Sequence, residues 1–114
     1  MKVINQTKNT LICPKVEIAD TIVSRLVGLL NRETLSEDEG LIITQCRCIH
    51  MFFMRFAIDA LFVNKNNQVI GAVKNIKPFR LSPYFFTSSY VVELAVGAIE
   101  KSQTQRGDKI STEE

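Results

Sequence analysis

The stretch Ala60-Leu-Phe-Val-Asn-Lys-Asn-Asn-Gln-Val-Ile-Gly-Ala-Val73 contains two apolar runs separated by a polar segment. Each run is short and rich in branched or aromatic residues, which is typical of a β-strand. Asparagine tolerates the left-handed backbone conformation of tight turns, so residues 64–67 predict a hairpin turn. Because Leu61, Phe62 and Val63 are apolar in succession, both faces of their strand are expected to be covered. The stretch therefore favours a closed or doubly covered β structure over a sheet with one solvated face.

Runs of the same kind extend this β structure in both directions. Near the N-terminus, apolar pairs at 3–4 and 11–12 flank a polar turn, and residues 16–18 alternate as a strand does. Further strands are predicted at 41–43, 49–54 and 90–96, with a last edge strand near residue 110. The segment 76–83 contains two prolines and cannot continue a ladder, which predicts a long loop.

One segment has helical periodicity. Between about residues 20 and 31, apolar side chains recur in two adjoining rows at helical spacing, namely Ile22, Leu26, Leu29 and Val23, Val27, Leu30. Asp20 or Thr21 can cap its first turn. The spacing predicts one amphipathic helix, and residues 97–105 predict a second, shorter one.

The length and composition fit a single domain over residues 1–114, with a short polar tail at 111–114. The predicted fold is α+β and mainly β, a small antiparallel barrel or sandwich with one amphipathic helix. Fourteen Lys and Arg residues against twelve Asp and Glu residues leave a net charge of +2. A balance so close to neutral argues against nucleic acid and against a membrane surface as partners.

The cysteines and the N-terminus predict a cytoplasmic protein. Three cysteines are an odd number in a chain that lacks the cysteine density of a disulfide scaffold. The first residues are polar where an export signal needs an apolar stretch. The most apolar window, 40–63, contains Arg47, His50, Arg55 and Asp59, and such side chains inside a membrane span are costly. We therefore interpret that window as core strands.

Candidate catalytic residues are few. His50 is the only histidine, and Asp59 could orient it as a general acid or base; the alternative is a histidine satisfied by backbone. Asp59 lies inside an apolar strand, where it must pair with a cation such as Arg55 or Arg80, or accept hydrogen bonds from backbone amides. Glu93 poses the same question, and its alternation with the apolar residues around it favours a solvated carboxylate. The sequence contains no known catalytic motif, and catalysis therefore has no positive signature. An enzymatic role is neither predicted nor excluded.

The cysteines also raise a metal hypothesis. If Cys46, Cys48 and His50 share one strand, their side chains point the same way. Cys46 and His50 would then lie about 13 Å apart, whereas ligands of one zinc ion span about 11 Å. A metal site there requires either a kink in the strand or a pair such as Cys48 and His50, helped by Asp59 or Cys13. The alternative is that the cysteines are buried as small hydrophobic side chains. No motif predicts a cofactor, and none is expected.

Several motifs in one order resemble a prokaryotic family catalogued as domain of unknown function 192. They are RLVGLLNR at 25–32, EGLII at 39–43, CIHMFFMRFAIDALF at 48–62, KPFR at 77–80, VELAVG at 92–97 and Gly107-Asp108. The resemblance covers the chain from about residue 16 onward and implies a small, mostly β fold with one helix after the first strands, but no activity. It places the following residues at motif positions: His50, Met54, Arg55, Asp59, Arg80, Glu93 and Gly97.

Three functional hypotheses follow. The leading one is a non-catalytic accessory module that binds a small molecule or a protein, with Met54, Arg55, Arg80 and Glu93 as candidate binding residues. In it the polar patch around His50 is either a latch that fixes the 78–83 loop or the floor of a binding site. The second is a small hydrolase that uses His50 and Asp59 with Arg80 as an anion-binding group. The third is a metal-binding protein that uses Cys48 and His50. The sequence does not indicate an oligomeric state.

Overall fold

A computed structural model describes residues 1–21, 24, 27, 29–30 and 32–114 of the chain. This described part contains eight strands and one short helix, which follow one another in this order: β1 (Lys2–Asn5), β2 (Thr10–Cys13), β3 (Lys15–Ala19), β4 (Glu39–Thr44), β5 (Ile58–Val63), β6 (Val69–Ile76), β7 (Tyr90–Leu94), α1 (Ala98–Lys101) and β8 (Ile110–Glu113). The predicted α+β class dominated by β structure is confirmed.

The described strands form two sheets. One has five strands in the order β3-β4-β7-β5-β6, and the other has three in the order β2-β1-β8. Strands β3 and β4 pair in parallel, while the remaining neighbours pair antiparallel. Two details therefore differ from the sequence prediction. The described strands form no closed barrel, and the sheet is not entirely antiparallel because the segment between β3 and β4 returns the chain to the same end.

The five-stranded sheet is covered on both faces, as the consecutive apolar residues of β5 predicted. All six residues of β5 are buried. On one face, Leu61, Val63, Val92 and Leu94 pack with residues of the three-stranded sheet and with Ile99 of α1. On the other face, Phe62 and Val91 pack with Met51, Met54 and other residues outside the strands. The described residues thus form two cores separated by this sheet.

The predicted hairpin between β5 and β6 is confirmed. The side-chain oxygen of Asn64 accepts hydrogen bonds from the backbone N–H groups of Asn66 and Gln68, at 2.9 and 3.0 Å. Asn67 adopts the left-handed conformation, with φ of 61°. Both features are those for which asparagine is preferred in turns.

The predicted strand at 49–54 is wrong. Residues 45–57, called loop 45–57 here, contain only an isolated bridge between His50 and Leu81. Strand β4 ends where Gln45 turns to a φ of 53°, and Phe53 has a φ of 64°. Positive φ values interrupt a strand ladder, although apolar composition alone resembles one. Loop 45–57 runs beside residues 77–89, called loop 77–89 here, which agrees with the predicted loop at 76–83.

The two helix predictions have different outcomes. The amphipathic helix predicted at 20–31 depends on residues 22, 23, 25, 26, 28 and 31, which lie outside the described part of the chain. The second helix is confirmed but is shorter than predicted, since it covers Ala98–Lys101. Among the described residues, no helix has the length and apolarity to cross a membrane. The predicted tail is mostly ordered, because residues 111–113 belong to β8 and pair with β1.

Candidate functional site

Asp59 is held by backbone amides. Its carboxylate is 1% exposed. One oxygen accepts a hydrogen bond from the N–H of Asn75 at 2.8 Å, and the other accepts from Gly97 and Ile99, both at 3.1 Å. These bonds join β5 to β6 and to the start of α1. Of the two alternatives for this residue, amide capping is therefore correct and pairing with a guanidinium is wrong.

This placement also removes Asp59 from the histidine. Asp59 points to the face that carries α1, whereas His50 belongs to loop 45–57 over the opposite face. The hypothesis that Asp59 orients His50 is wrong. The two residues are close in sequence. Asp59, however, belongs to β5 and points to one face of the sheet, whereas His50 belongs to the loop that covers the other face.

Glu93 is the buried acid on the face of the sheet below loop 45–57. It is 5% exposed, and its Oε1 atom has no hydrogen-bond partner in the described structure. Burial raises the pKa of Glu93 from 4.5 to about 7, because water no longer stabilises the charged form. Glu93 does point away from Val92 and Leu94, as its alternation predicted, but the expectation that it is solvated is wrong.

A cavity of about 100 Å³ lies between Glu93 and loop 45–57. Its lining includes four of the residues singled out in the sequence, which are Cys46, Cys48, His50 and Met54. Apolar side chains complete the wall: Val27, Leu29, Leu30, Ile43 and Ile49. The cavity therefore combines one buried carboxylate with a mainly apolar wall.

Hydrogen bonds to loop 77–89 position the segment that carries the lining residues. The N–H of Met51 donates to the carbonyl of Arg80 at 2.8 Å, and the N–H of Ile49 donates to the hydroxyl of Ser82 at 2.9 Å. The His50 ring stacks on Phe52, with 5.4 Å between ring centroids. The predicted latch of charged side chains is absent from the described contacts; backbone groups and the Ser82 hydroxyl join the two loops instead.

Neither candidate guanidinium joins the buried acids. The Arg55 side chain is exposed and pairs with Glu33 at 3.5 Å. Arg80 is also exposed and contributes its backbone carbonyl to the contact with loop 45–57. Among the described contacts, neither arginine bonds to Asp59 or Glu93. The hydrolase hypothesis needs an arginine next to an acid–histidine pair, and the described contacts contain no such arrangement.

The three cysteines lie in different environments. Cys13 is buried among the residues that pack the two sheets together, and burial raises the pKa of its thiol. Cys46 donates a hydrogen bond from its thiol to the Cys48 carbonyl at 3.1 Å, and Cys48 is exposed. The buried-cysteine alternative therefore applies fully to Cys13 alone. In the described part of the chain, no group of three or more His, Cys, Asp or Glu side chains could hold a metal ion.

Sequence reasoning missed a polar cluster beside the turn between β1 and β2. The buried Asn5 side chain donates to Asp108 at 2.8 Å and to Thr104 at 3.1 Å, and Lys8 pairs with Asp108 at 2.9 Å. These contacts tie the turn between β1 and β2 to the start of β8. Because the polar groups satisfy one another, we interpret the cluster as structural.

Glu93 itself could have been identified as buried from its strand. It is the only charged residue in β7, and β7 pairs on both sides, with β4 and β5. A charged side chain in the middle of a sheet that is covered on both faces has no route to water.

Comparison with known proteins adds a family. The sequence model of domain of unknown function 192, described as "Uncharacterized ACR", matches residues 3–112. A UPF0127 protein from Thermococcus sibiricus is 32% identical over 96% of this chain and 73% of its own length. Another UPF0127 protein, from Pyrococcus horikoshii, is 30% identical over 95% of this chain and 96% of its own length.

Two solved structures share the fold. A protein of unknown function from Novosphingobium aromaticivorans superimposes with a TM-score of 0.84 and 22% identity, covering 98% of this chain and 84% of that one. A putative transcription regulator from Sinorhizobium meliloti gives 0.72 and 21% identity, covering 96% of this chain and 89% of that one. At these identities the likeness concerns the fold alone.

Proposed function

We propose that this chain, which belongs to the family domain of unknown function 192, is a non-catalytic binding module that takes a small ligand into the cavity at Glu93. The observation that carries the proposal is the carboxylate oxygen of Glu93, which is buried beside the cavity and has no described hydrogen-bond partner. A ligand that donates a hydrogen bond to this oxygen would satisfy it.

The free-energy balance favours this interpretation. A buried polar group without a partner costs about 1–3 kcal/mol, and native proteins pair nearly all such groups. The other two buried acids are satisfied: Asp59, on the neighbouring strand, has three backbone donors, and Asp108 pairs with Asn5 and Lys8. Glu93 lines the cavity, and its Oε1 atom has no described partner, which supports a ligand as that partner.

The dimensions of the cavity define the ligand class. An apolar cavity of about 150 Å³ holds benzene, and this one measures about 100 Å³. The enclosed part of the ligand is therefore no larger than about a benzene ring. A short alkyl group that ends in an amine matches both the apolar wall and the carboxylate, because a protonated amine donates charge-assisted hydrogen bonds.

We infer a cytoplasmic location for the module. Cys13 and Cys48 are free thiols, and Cys48 lines the cavity. Free thiols in such a position persist in a reducing compartment.

A ligand titration tests the proposal. The probe is n-propylammonium at mildly alkaline pH, with n-propanol as its uncharged counterpart, and the readout is the thermal unfolding midpoint. We expect n-propylammonium to raise the midpoint of the wild type and of Glu100→Gln, whose side chain is exposed, but not of Glu93→Gln. An equal rise in Glu93→Gln, or no rise in the wild type, would overturn the assignment of Glu93 as the recognition group.

Thiol protection provides an independent readout of the same cavity. Cys48 is exposed at its lining, whereas Cys13 is buried in the other core. Bound n-propylammonium is expected to slow alkylation of Cys48 and to leave Cys13 unchanged. Unchanged alkylation of Cys48 at a saturating concentration would contradict occupation of this cavity.

A further inference from the structure

Two phenylalanines at neighbouring turns stand out from the protein in an unfavourable backbone conformation. Phe53 and Phe79 both have a φ of 64°, and they are 77% and 63% exposed. Glycine and asparagine adopt positive φ with less strain than a bulky side chain. Exposed rings bury little surface that would offset this strain. Folding stability therefore does not explain phenylalanine at these positions, whereas use of the rings in binding does.

The two rings form a defined pair. Their centroids lie 6.2 Å apart, with the edge of one ring toward the face of the other. The turns that carry them are joined because the N–H of Phe79 donates to the carbonyl of Met51 at 2.8 Å. Leu81, 66% exposed, follows in the same loop. We call Phe53, Phe79 and Leu81 the aromatic tip.

The loops around the aromatic tip carry only positive charge. Loop 45–57 and loop 77–89 contain Arg47, Arg55, Lys77 and Arg80 but no Asp or Glu. Arg55 is in part neutralised by Glu33, which approaches it to 3.5 Å. The whole chain is nearly neutral, and from this we predicted no membrane partner. The two loops nevertheless have a local excess of positive charge.

We propose that the aromatic tip docks on a lipid surface with anionic headgroups, where Phe53 and Phe79 enter the interface and Lys77 and Arg80 contact the headgroups. Rings with this exposure protrude, whereas the surfaces that bind peptides present grooves or pockets. Protruding apolar rings flanked by cations match the two attractions of an anionic membrane surface, namely apolar insertion and headgroup charge. The proposal does not depend on the cavity at Glu93.

Vesicle flotation tests this docking. The probes are vesicles of phosphatidylcholine alone and of phosphatidylcholine with phosphatidylglycerol. We expect the wild type to float with the mixed vesicles, and Phe53→Ser/Phe79→Ser to lose about tenfold or more in partition coefficient. Leu11→Ser, which changes an equally apolar exposed residue of β2, is the matched control and is expected to float as the wild type does.

A fluorescent variant tests insertion directly. The chain contains no tryptophan, so Phe53→Trp introduces a single indole whose emission shifts to the blue when it enters the interface. Phe86→Trp places the indole at another exposed position as a control for nonspecific contact. A blue shift for the Phe53 variant alone supports the proposal.

Three outcomes would overturn it. The first is no flotation with either vesicle, and the second is flotation that the serine double variant retains. The third is binding that high salt abolishes while the Phe53→Trp emission never shifts, which would mean attraction of charge without insertion and would point to an acidic polypeptide as partner.

Discussion

The side chains of Asp59 and Glu93 leave the five-stranded sheet on opposite faces, although the two residues are diagonal neighbours on adjacent strands. Asp59 pairs with Leu94, and Glu93 pairs with Ala60. Since paired residues share a face, this register sends one carboxylate toward α1 and the other toward loop 45–57. The first finds three backbone donors there, and the second finds a cavity. One acid is thus fully hydrogen-bonded within the fold, and the other borders the cavity.

Asp59→Asn is expected to destabilise the protein. The amide that replaces one carboxylate oxygen cannot accept the hydrogen bonds from Gly97 and Ile99, or else that from Asn75, and leaves buried N–H groups unpaired. The loss amounts to about 1–3 kcal/mol, which lowers the thermal midpoint by several degrees. Thermal unfolding measures it, with Asp38→Asn as the matched exposed control. Equal midpoints for both variants would show that Asp59 does not hold α1.

Glu93 is expected to make stability depend on pH. Its pKa is about 7 in the folded chain and 4.5 when it is not buried. Between these values the folded chain keeps a proton that the unfolded chain has lost. The free energy of unfolding therefore falls as the pH rises through this range, by about 3 kcal/mol in total. Below pH 4.5 the contribution of Glu93 to the free energy of unfolding is fully present, and above pH 7 it is lost.

Urea unfolding of the wild type and of Glu93→Gln across this pH range isolates the effect. The glutamine variant cannot ionise at position 93, so its stability should decline less and should exceed that of the wild type at alkaline pH. If the two proteins show the same decline, the carboxylate of Glu93 is not the source of the pH dependence.

Much of the sheet could be predicted because its signals are local. Consecutive apolar residues at Leu61, Phe62 and Val63 indicate a strand covered on both faces, and asparagines at the following turn supply the hydrogen bonds and the positive φ that a hairpin needs. Strand and turn depend there on residues that are close in sequence. The prediction for this hairpin accordingly agrees with the structure.

The site could be predicted only in part because it is made by distant contacts. The apolar residues of loop 45–57 resemble a strand, but hydrogen bonds from Met51 and Ile49 to loop 77–89 decide their path. Phenylalanine is not a residue that favours positive φ, so the conformation of Phe53 could not be predicted from its type. His50 and Glu93 were both identified as candidates, yet the cavity that they share depends on that path and not on strand alternation.

Phe53→Asn is expected to stabilise the protein. The φ of 64° costs a residue with a bulky side chain about 1 kcal/mol, and asparagine recovers part of this, on the order of 0.5 kcal/mol. The ring of Phe53 is exposed, so its removal sacrifices little buried surface. Urea unfolding measures the gain, and Phe86→Asn, at an exposed position without positive φ, is the control. A loss of stability at position 53 would mean that the Phe53 ring packs more firmly than its exposure indicates.

Gly71→Ala is expected to destabilise the protein by displacing the Phe85 ring from the sheet. Gly71 pairs with Phe62, and a Cβ atom at position 71 would overlap the ring of Phe85, which packs on Phe62 at 4.4 Å between centroids. Displacing that ring costs about 1–3 kcal/mol, which exceeds the roughly 0.5–1 kcal/mol that alanine gains over glycine in a strand. Urea unfolding of a double-mutant cycle with Phe85→Leu measures the coupling, because the smaller side chain should reduce the cost. An undiminished cost in the Phe85→Leu background would locate the strain elsewhere than in this ring.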